Sequence, residues 1–185
     1  GEDIDGKTDD LTSIVRKVDT RFSKINGKHS AFFSAFLLAP LNAQDEEEVE
    51  ERLDKNHSSV ILNITLAADA QTPDGAKFLT GGDAEVFIWN RQWQRHKNEA
   101  DVLKYDIMLA PHHCSWHSLS EDSWSDFGEK AKIDADARKA LSQTRDGAII
   151  VASCKPIADD DSDPPCIRAK REYVAIVDEA KGECY

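Results

Sequence analysis

Phe78-Leu79-Thr80-Gly81-Gly82-Asp83-Ala84-Glu85 reads as the end of a strand, a tight turn and the start of a helix. Lys77 to Thr80 is a short strand, and the two glycines free the backbone to turn sharply and to approach a ligand closely. Beyond them Val86, Trp89, Trp93 and His96 recur at helical spacing, so a helix begins near Asp83 and ends before the polar stretch around Asn98. Upstream, Ser59 to Ala67 is a β-branched apolar run, and Pro73-Asp74-Gly75 marks the turn that joins it to Lys77–Thr80 as a hairpin. Downstream, the short apolar strand Tyr105 to Leu109 runs directly into Pro111-His112-His113. Short strands alternating with helices give an α/β fold.

Working outward, Leu11, Ile14, Val15, Val18, Phe22 and Ile25 stand three and four apart after Asp9 and Asp10, which predicts an amphipathic helix over Asp10 to Ile25. Ala31 to Leu38 reads as a buried strand closed by Pro40, and the acidic run Asp45 to Asp54 as a solvated loop or short helical turn. That run and Asp3-Ile4-Asp5-Gly6, a flexible end, lack the sustained ligand pattern of a calcium loop. Ala131 to Leu141 has good helix formers, Ala148 to Ala152 is a last buried strand, and Ile167 to Val177 suits a helix after the loop Asp159 to Pro165. The expected organisation is one α/β domain or part-domain: 1–30 a helix with a flexible start, 31–177 the sheet and helices, 178–185 a tail.

Composition narrows the function. With 185 residues and 40% hydrophobic content the chain can bury one core. Lys+Arg 23 against Asp+Glu 35 gives a formal charge of -12, which argues against a broad nucleic-acid-binding surface but not against a nuclease whose bound cations reverse the local sign. The longest apolar candidate, Ala31 to Leu41, is interrupted by Ser34 and closed by Pro40, so no membrane span is expected. Gly1-Glu2-Asp3 begins neither a signal peptide nor a chain with its initiator Met, so a processed or excised cytoplasmic protein is the expectation. Cys114, Cys154, Cys166 and Cys184 form no Cys-x-x-Cys pair, which argues for reduced thiols.

The chemistry-bearing residues follow strand ends. Asp83 lies just past one strand and His112 and His113 just past another, so they share the rim of a sheet where α/β folds place ligand chemistry. Aspartate and imidazole suit zinc or manganese. Taken alone, Asp83 reads first as an ordinary N-cap of the following helix, and only one of the two adjacent histidines is expected to face a given metal. Ser115, Trp116 and His117 continue along the rim; Trp116 is the better placed for a substrate contact, whereas Trp89 and Trp93 mark a helix packed on a core.

Asn56-His57-Ser58-Ser59-Val60-Ile61-Leu62, the glycine-aspartate stretch and Ile107-Met108-Leu109-Ala110-Pro111-His112-His113-Cys114-Ser115 together resemble the metallo-β-lactamase superfamily, in the branch holding the hydrolase domains of bacterial DNA-uptake competence proteins. The resemblance implies the C-terminal half of an αββα sandwich, a mixed sheet flanked by helices. It makes Asp83 similar to the family's metal-bridging carboxylate and His112 or His113 to its late metal-binding histidine. It implies hydrolysis by metal-activated water, with a phosphodiester as the substrate class. The family's His-x-[His/Asp]-x-Asp-His motif is absent from this chain, Gly82 is an inserted or substituted residue, and Cys114 stands where glycine usually follows the histidines. At the late Tyr-Gly-His-Pro element the counterpart is Pro164-Pro165-Cys166, which puts a surface thiol in place of imidazole. The missing ligands are therefore expected from an N-terminal part of the parent protein, and the alternative is a catalytically inactive domain of this fold serving protein interaction or scaffolding.

Overall fold

The computed structural model describes residues 15–41 and 58–185. Asp3–Gly6, the first part of the expected helix, the run Asp45–Asp54 and Asn56-His57 lie outside the described residues. The strands are β1 (Thr20–Phe22), β2 (Lys24–Ile25), β3 (Lys28–His29), β4 (Phe33–Ala39), β5 (Ile61–Leu66), β6 (Ala76–Thr80), β7 (Tyr105–Leu109), β8 (Thr144–Val151) and β9 (Glu183–Cys184). The α-helices are α1 (Val86–His96), α2 (Trp124–Phe127), α3 (Ala135–Leu141) and α4 (Ile167–Glu179).

Seven strands form one mixed sheet in the order β1-β4-β5-β6-β7-β8-β9. The pairings from β1 to β6 are antiparallel and those from β6 to β9 parallel. The expected hairpin is β5–β6, with Ile64 opposite Phe78. Each parallel step needs a crossover, and crossovers of one hand moving steadily in one direction place their helices on one face of the sheet.

The hydrogen bonds fit that placement. Gln92 of α1 donates to the carbonyl of Leu38, Tyr105 donates its hydroxyl to the carbonyl of Leu141 at the end of α3, and Asn63 donates to the carbonyls of Val102 and Lys104. Helix α4 packs on β8 and β9. One row of residues crosses all seven strands on this covered side: Arg21, Phe36, Asn63, Leu79, Met108, Ile150 and Cys184. Leu79, Met108 and Ile150 belong to the core with Trp89, Leu141 and Tyr173.

The opposite face differs. Its central row runs Phe22, Ala35, Ile64, Phe78, Ile107 and Ile149, ending at Glu183. Leu37 and Leu62 lie beside it on one side, Phe33 and Leu66 on the other. Leu66 is 47% exposed and Ile107 40%, and most of the others keep partial exposure, because none of the described helices covers them.

Three expectations need correction. Within the described residues, the helix expected over Asp10–Ile25 is extended chain and strand: β1 pairs with β4, and β2 with β3 across Asn26-Gly27. Both turn residues have left-handed φ, 47° and 78°, the geometry of the primed hairpin turn that Asn-Gly favours. Apolar spacing of three and four was outweighed by that turn and by pairing along β4. The tail 178–185 contributes β9 to the sheet rather than lying outside it. The strand expected over Ala148–Ala152 is β8, which starts at Thr144 and ends at Val151, with a register irregularity opposite Tyr105 to Ile107. Among the described residues no helix is long and apolar enough to cross a membrane.

Candidate functional site

The parallel register of β6 and β7, with Leu79 beside Met108, brings the segments after both strands to the same rim. There the chain adopts a costly conformation: His112, His113 and Cys114 all have left-handed backbone, at φ 49°, 54° and 66°. Such residues cost about 1–2 kcal/mol each unless glycine, and they persist only where the surroundings over-determine them. The surroundings do so here. The His112 amide donates to the Gly82 carbonyl at 2.9 Å, the Cys114 amide to the Pro111 carbonyl at 3.1 Å, and the Cys166 amide to the Cys114 carbonyl at 2.9 Å. Cys114 thus occupies a backbone position that glycine favours.

The two glycines have separate tasks. A Cβ on Gly81 would stand 2.3 Å from the Trp89 ring, so this position is glycine because α1 packs its indole there. Gly82 takes φ 51° and presents the carbonyl that holds His112. The helix N-cap is Glu85 rather than Asp83, which leaves the Asp83 carboxylate on the rim.

The two histidines diverge. His113 Nε2 lies 3.8 Å from Asp83 Oδ1, and both side chains are largely open, at 59% and 48% exposure. His113 Nδ1 lies 2.9 Å from the carbonyl oxygen of Ser153, just past β8. A carbonyl can only accept, so that bond places a proton on Nδ1 and turns Nε2 towards Asp83. Two ligands on one tetrahedral zinc are about 3.4 Å apart, so the His113–Asp83 spacing is close to that of a shared ion. His112 instead turns Nδ1 towards Glu85 Oε1 at 3.7 Å, further inside the protein. Among the described residues no group of three or more His, Cys, Asp or Glu side chains is placed to hold a metal.

The neighbouring positions hold the rim in shape. Ser115 is buried and its hydroxyl accepts from the His117 amide. Trp116 is only 4% exposed, its amide donates to Asp163 Oδ1 and its indole to the Asp122 carbonyl, so it braces the turn instead of standing open for a substrate. Cys166, expected at the surface, is buried as the N-cap of α4. His117 stays half exposed, 3.9 Å from Asp163 Oδ2, at a cleft of about 190 Å³ shared with Ser123, Trp124 and Asp161. Burial, with Cys154, Cys184 and Cys166 adding to it, pushes the Cys114 thiol up to about 12, so it is a neutral packing group.

Sequence reasoning missed Glu85, the Ser153 carbonyl and Asp163. Glu85 lay two residues beyond Asp83 in the quoted stretch, but a backbone carbonyl and one aspartate in a loop of several carry no sequence signal. No family model matches the chain, and no curated protein or solved structure matches it.

Proposed function

We propose that the chain is one α/β layer of a metal-dependent hydrolase of metallo-β-lactamase type, an αββα sandwich, acting on a phosphodiester or related ester. The observation that carries this reading is the paired presentation of His113 Nε2 and Asp83 Oδ1, 3.8 Å apart on an exposed rim, on a strained turn clamped by hydrogen bonds. Asp83 and His113 would hold zinc or manganese, whereas His112 faces Glu85 away from that pair. A bound divalent ion supplies acidification of the attacking water and neutralises developing charge on the substrate. The protein's own contribution is orientation: the Ser153 carbonyl holds His113 with its Nε2 turned towards Asp83. His117 at the adjacent cleft is the residue best placed to meet substrate.

Two donors do not close a tetrahedral site, so the remaining ligands come from the layer that covers the open sheet face. Zinc titration of the chain by calorimetry tests the reading. Weak binding, at micromolar or higher Kd, is expected, with Asp83→Ala and His113→Ala each weakening it at least about tenfold and His112→Ala less. Unchanged zinc affinity in both Asp83→Ala and His113→Ala would sink the proposal. The catalytically inactive scaffold is favoured by the same two-donor count, and metal-free parent protein after mild purification would decide for it.

A further inference from the structure

We propose that residues 120–132 form a lid over the His117 cleft, swinging on a pinned neck and held shut by Arg168. The proposal rests on the reading of His117 as the residue that meets substrate, but on none of the metal chemistry. Both ends of the segment are fixed. The Asp134 amide donates to the Leu119 carbonyl at 2.8 Å, the buried Ser120 hydroxyl to the Lys132 carbonyl at 2.7 Å, and the Lys132 amide to Asp122 Oδ2 at 2.9 Å. Asn90 of α1 donates to the Asp134 carboxylate and the Trp116 indole to the Asp122 carbonyl, so the neck is anchored on the helix layer and on the rim. A surface segment whose ends are drawn together in this way is an Ω-loop, and such loops belong to the units that open ahead of the core.

Between its ends the segment leans on itself. Among the described residues, the hydrogen bonds of 123–131 stay inside it: the Phe127 amide to the Ser123 carbonyl and the Ala131 amide to the Gly128 carbonyl, both at 3.0 Å, and the Ser123 and Ser125 hydroxyls to each other at 2.7 Å. The tip stands clear of the body. Phe127 is 52% exposed, and a Cβ on Gly128, at φ 52°, would meet no atom within 4 Å. Side-chain contacts close the lid instead. The Arg168 guanidinium lies 3.2 Å from the centre of the Trp124 ring and 3.9 Å from the Glu129 carboxylate, while Trp124 meets Trp116 edge-on. Arg168 sits in the first turn of α4, which packs on β8 and β9, so the latch is fixed to the body.

The cleft lies where this latch acts. Ser123, Trp124 and Ser125 line it from the lid, Asp160 to Asp163 and Cys166 from the body, with His117 between them. Shut, it measures about 190 Å³. Pockets that enclose a small-molecule ligand run to about 300–1,000 Å³, so a phosphodiester with both of its substituents enters only when the lid swings out.

Hydrogen exchange of the full chain, read by mass spectrometry, tests the latch. Arg168→Ala removes a stacked cation and should speed exchange across 123–131 about tenfold, with α3, α4 and the circular dichroism unchanged. Trp124→Leu should match it, and the double variant should add little to either, since the two share one contact. Carbethoxylation by diethyl pyrocarbonate tests the cover. His117 should react faster in Arg168→Ala, while His113, on the open rim, keeps its rate as the internal reference. Unchanged lid exchange in both single variants overturns the proposal, and so does exchange that speeds equally in α3 and α4. A loop that loosens without any change at His117 overturns its role as a cover. Absent zinc binding in the calorimetric titration would sink the hydrolase reading and leave the lid standing, whereas a failed latch leaves the zinc reading untouched.

Discussion

The two faces of the seven-stranded sheet are built from neighbouring residues in the same strands, yet they do opposite jobs. On one, Leu79, Met108 and Ile150 are buried beneath the helices; on the other, Phe78, Ile107 and Ile149 are apolar but partly open. A strand with one face to water usually alternates apolar with polar, whereas these alternate apolar with apolar, the composition of a strand covered on both sides. The sequence is therefore that of a sheet meant to lie between two layers. The rim is likewise built by one layer: its strand ends bring Asp83 and His113 together, and among the described residues no third His, Cys, Asp or Glu is placed with them to hold a metal.

The sharpest way to break the comparison is to truncate adjacent residues that point in opposite directions. Met108→Ala removes a fully buried side chain from the helix-covered face and should cost about 2–5 kcal/mol in urea unfolding, the usual range for a core cavity. Ile107→Ala, one residue earlier and 40% exposed, should cost about 1 kcal/mol or less at protein concentrations too low for association. Equal losses under those conditions would mean that both faces are buried within a single chain, and the contrast would fall.

A smaller effect is expected at the turn between strand and rim. Gly81→Ala places a methyl group 2.3 Å from the Trp89 ring, and since that indole is fully buried and donates to the Ala84 carbonyl it has little room to move. Overpacking of this kind costs about 1–3 kcal/mol. Wild-type stability in Gly81→Ala would show that α1 can slide on the covered face, which a tightly packed core does not allow.

These residues show what the sequence could and could not reveal. Tyr105–Leu109 and the β5–β6 hairpin were legible because turn residues and short apolar runs act locally. Asp83 and the histidine pair were legible as rim residues because they follow strand ends. Which histidine turns to Asp83 was not, since it depends on three consecutive left-handed residues held by Gly82, Pro111 and Cys166, none adjacent to the histidines except Pro111. The β1 segment was misread as helix because helical spacing and a strand's pairing partner compete, and the partner, β4, is distant in sequence. The Asn26-Gly27 turn was the available warning.

The smallest effect concerns acid, and it too separates the faces. His96 ends α1 on the covered side, with its ring edge-on to Phe36 and Nε2 3.3 Å from Asp19 Oδ1. Burial holds its imidazole below the usual 6.5; Asp19 and Glu99 pull it up, Arg95 pushes it further down, and burial dominates. A histidine whose folded value is depressed takes up its proton more readily in the unfolded chain, so folding should weaken as pH falls through 6.5 towards the depressed value and level off below it. Urea midpoints measured across that window should fall with acidification in the wild type and much less in His96→Gln. The slope belongs to the covered face alone, because the open face's central row carries no titratable group before Glu183. An undiminished slope in His96→Gln would overturn the assignment of the acid response to His96.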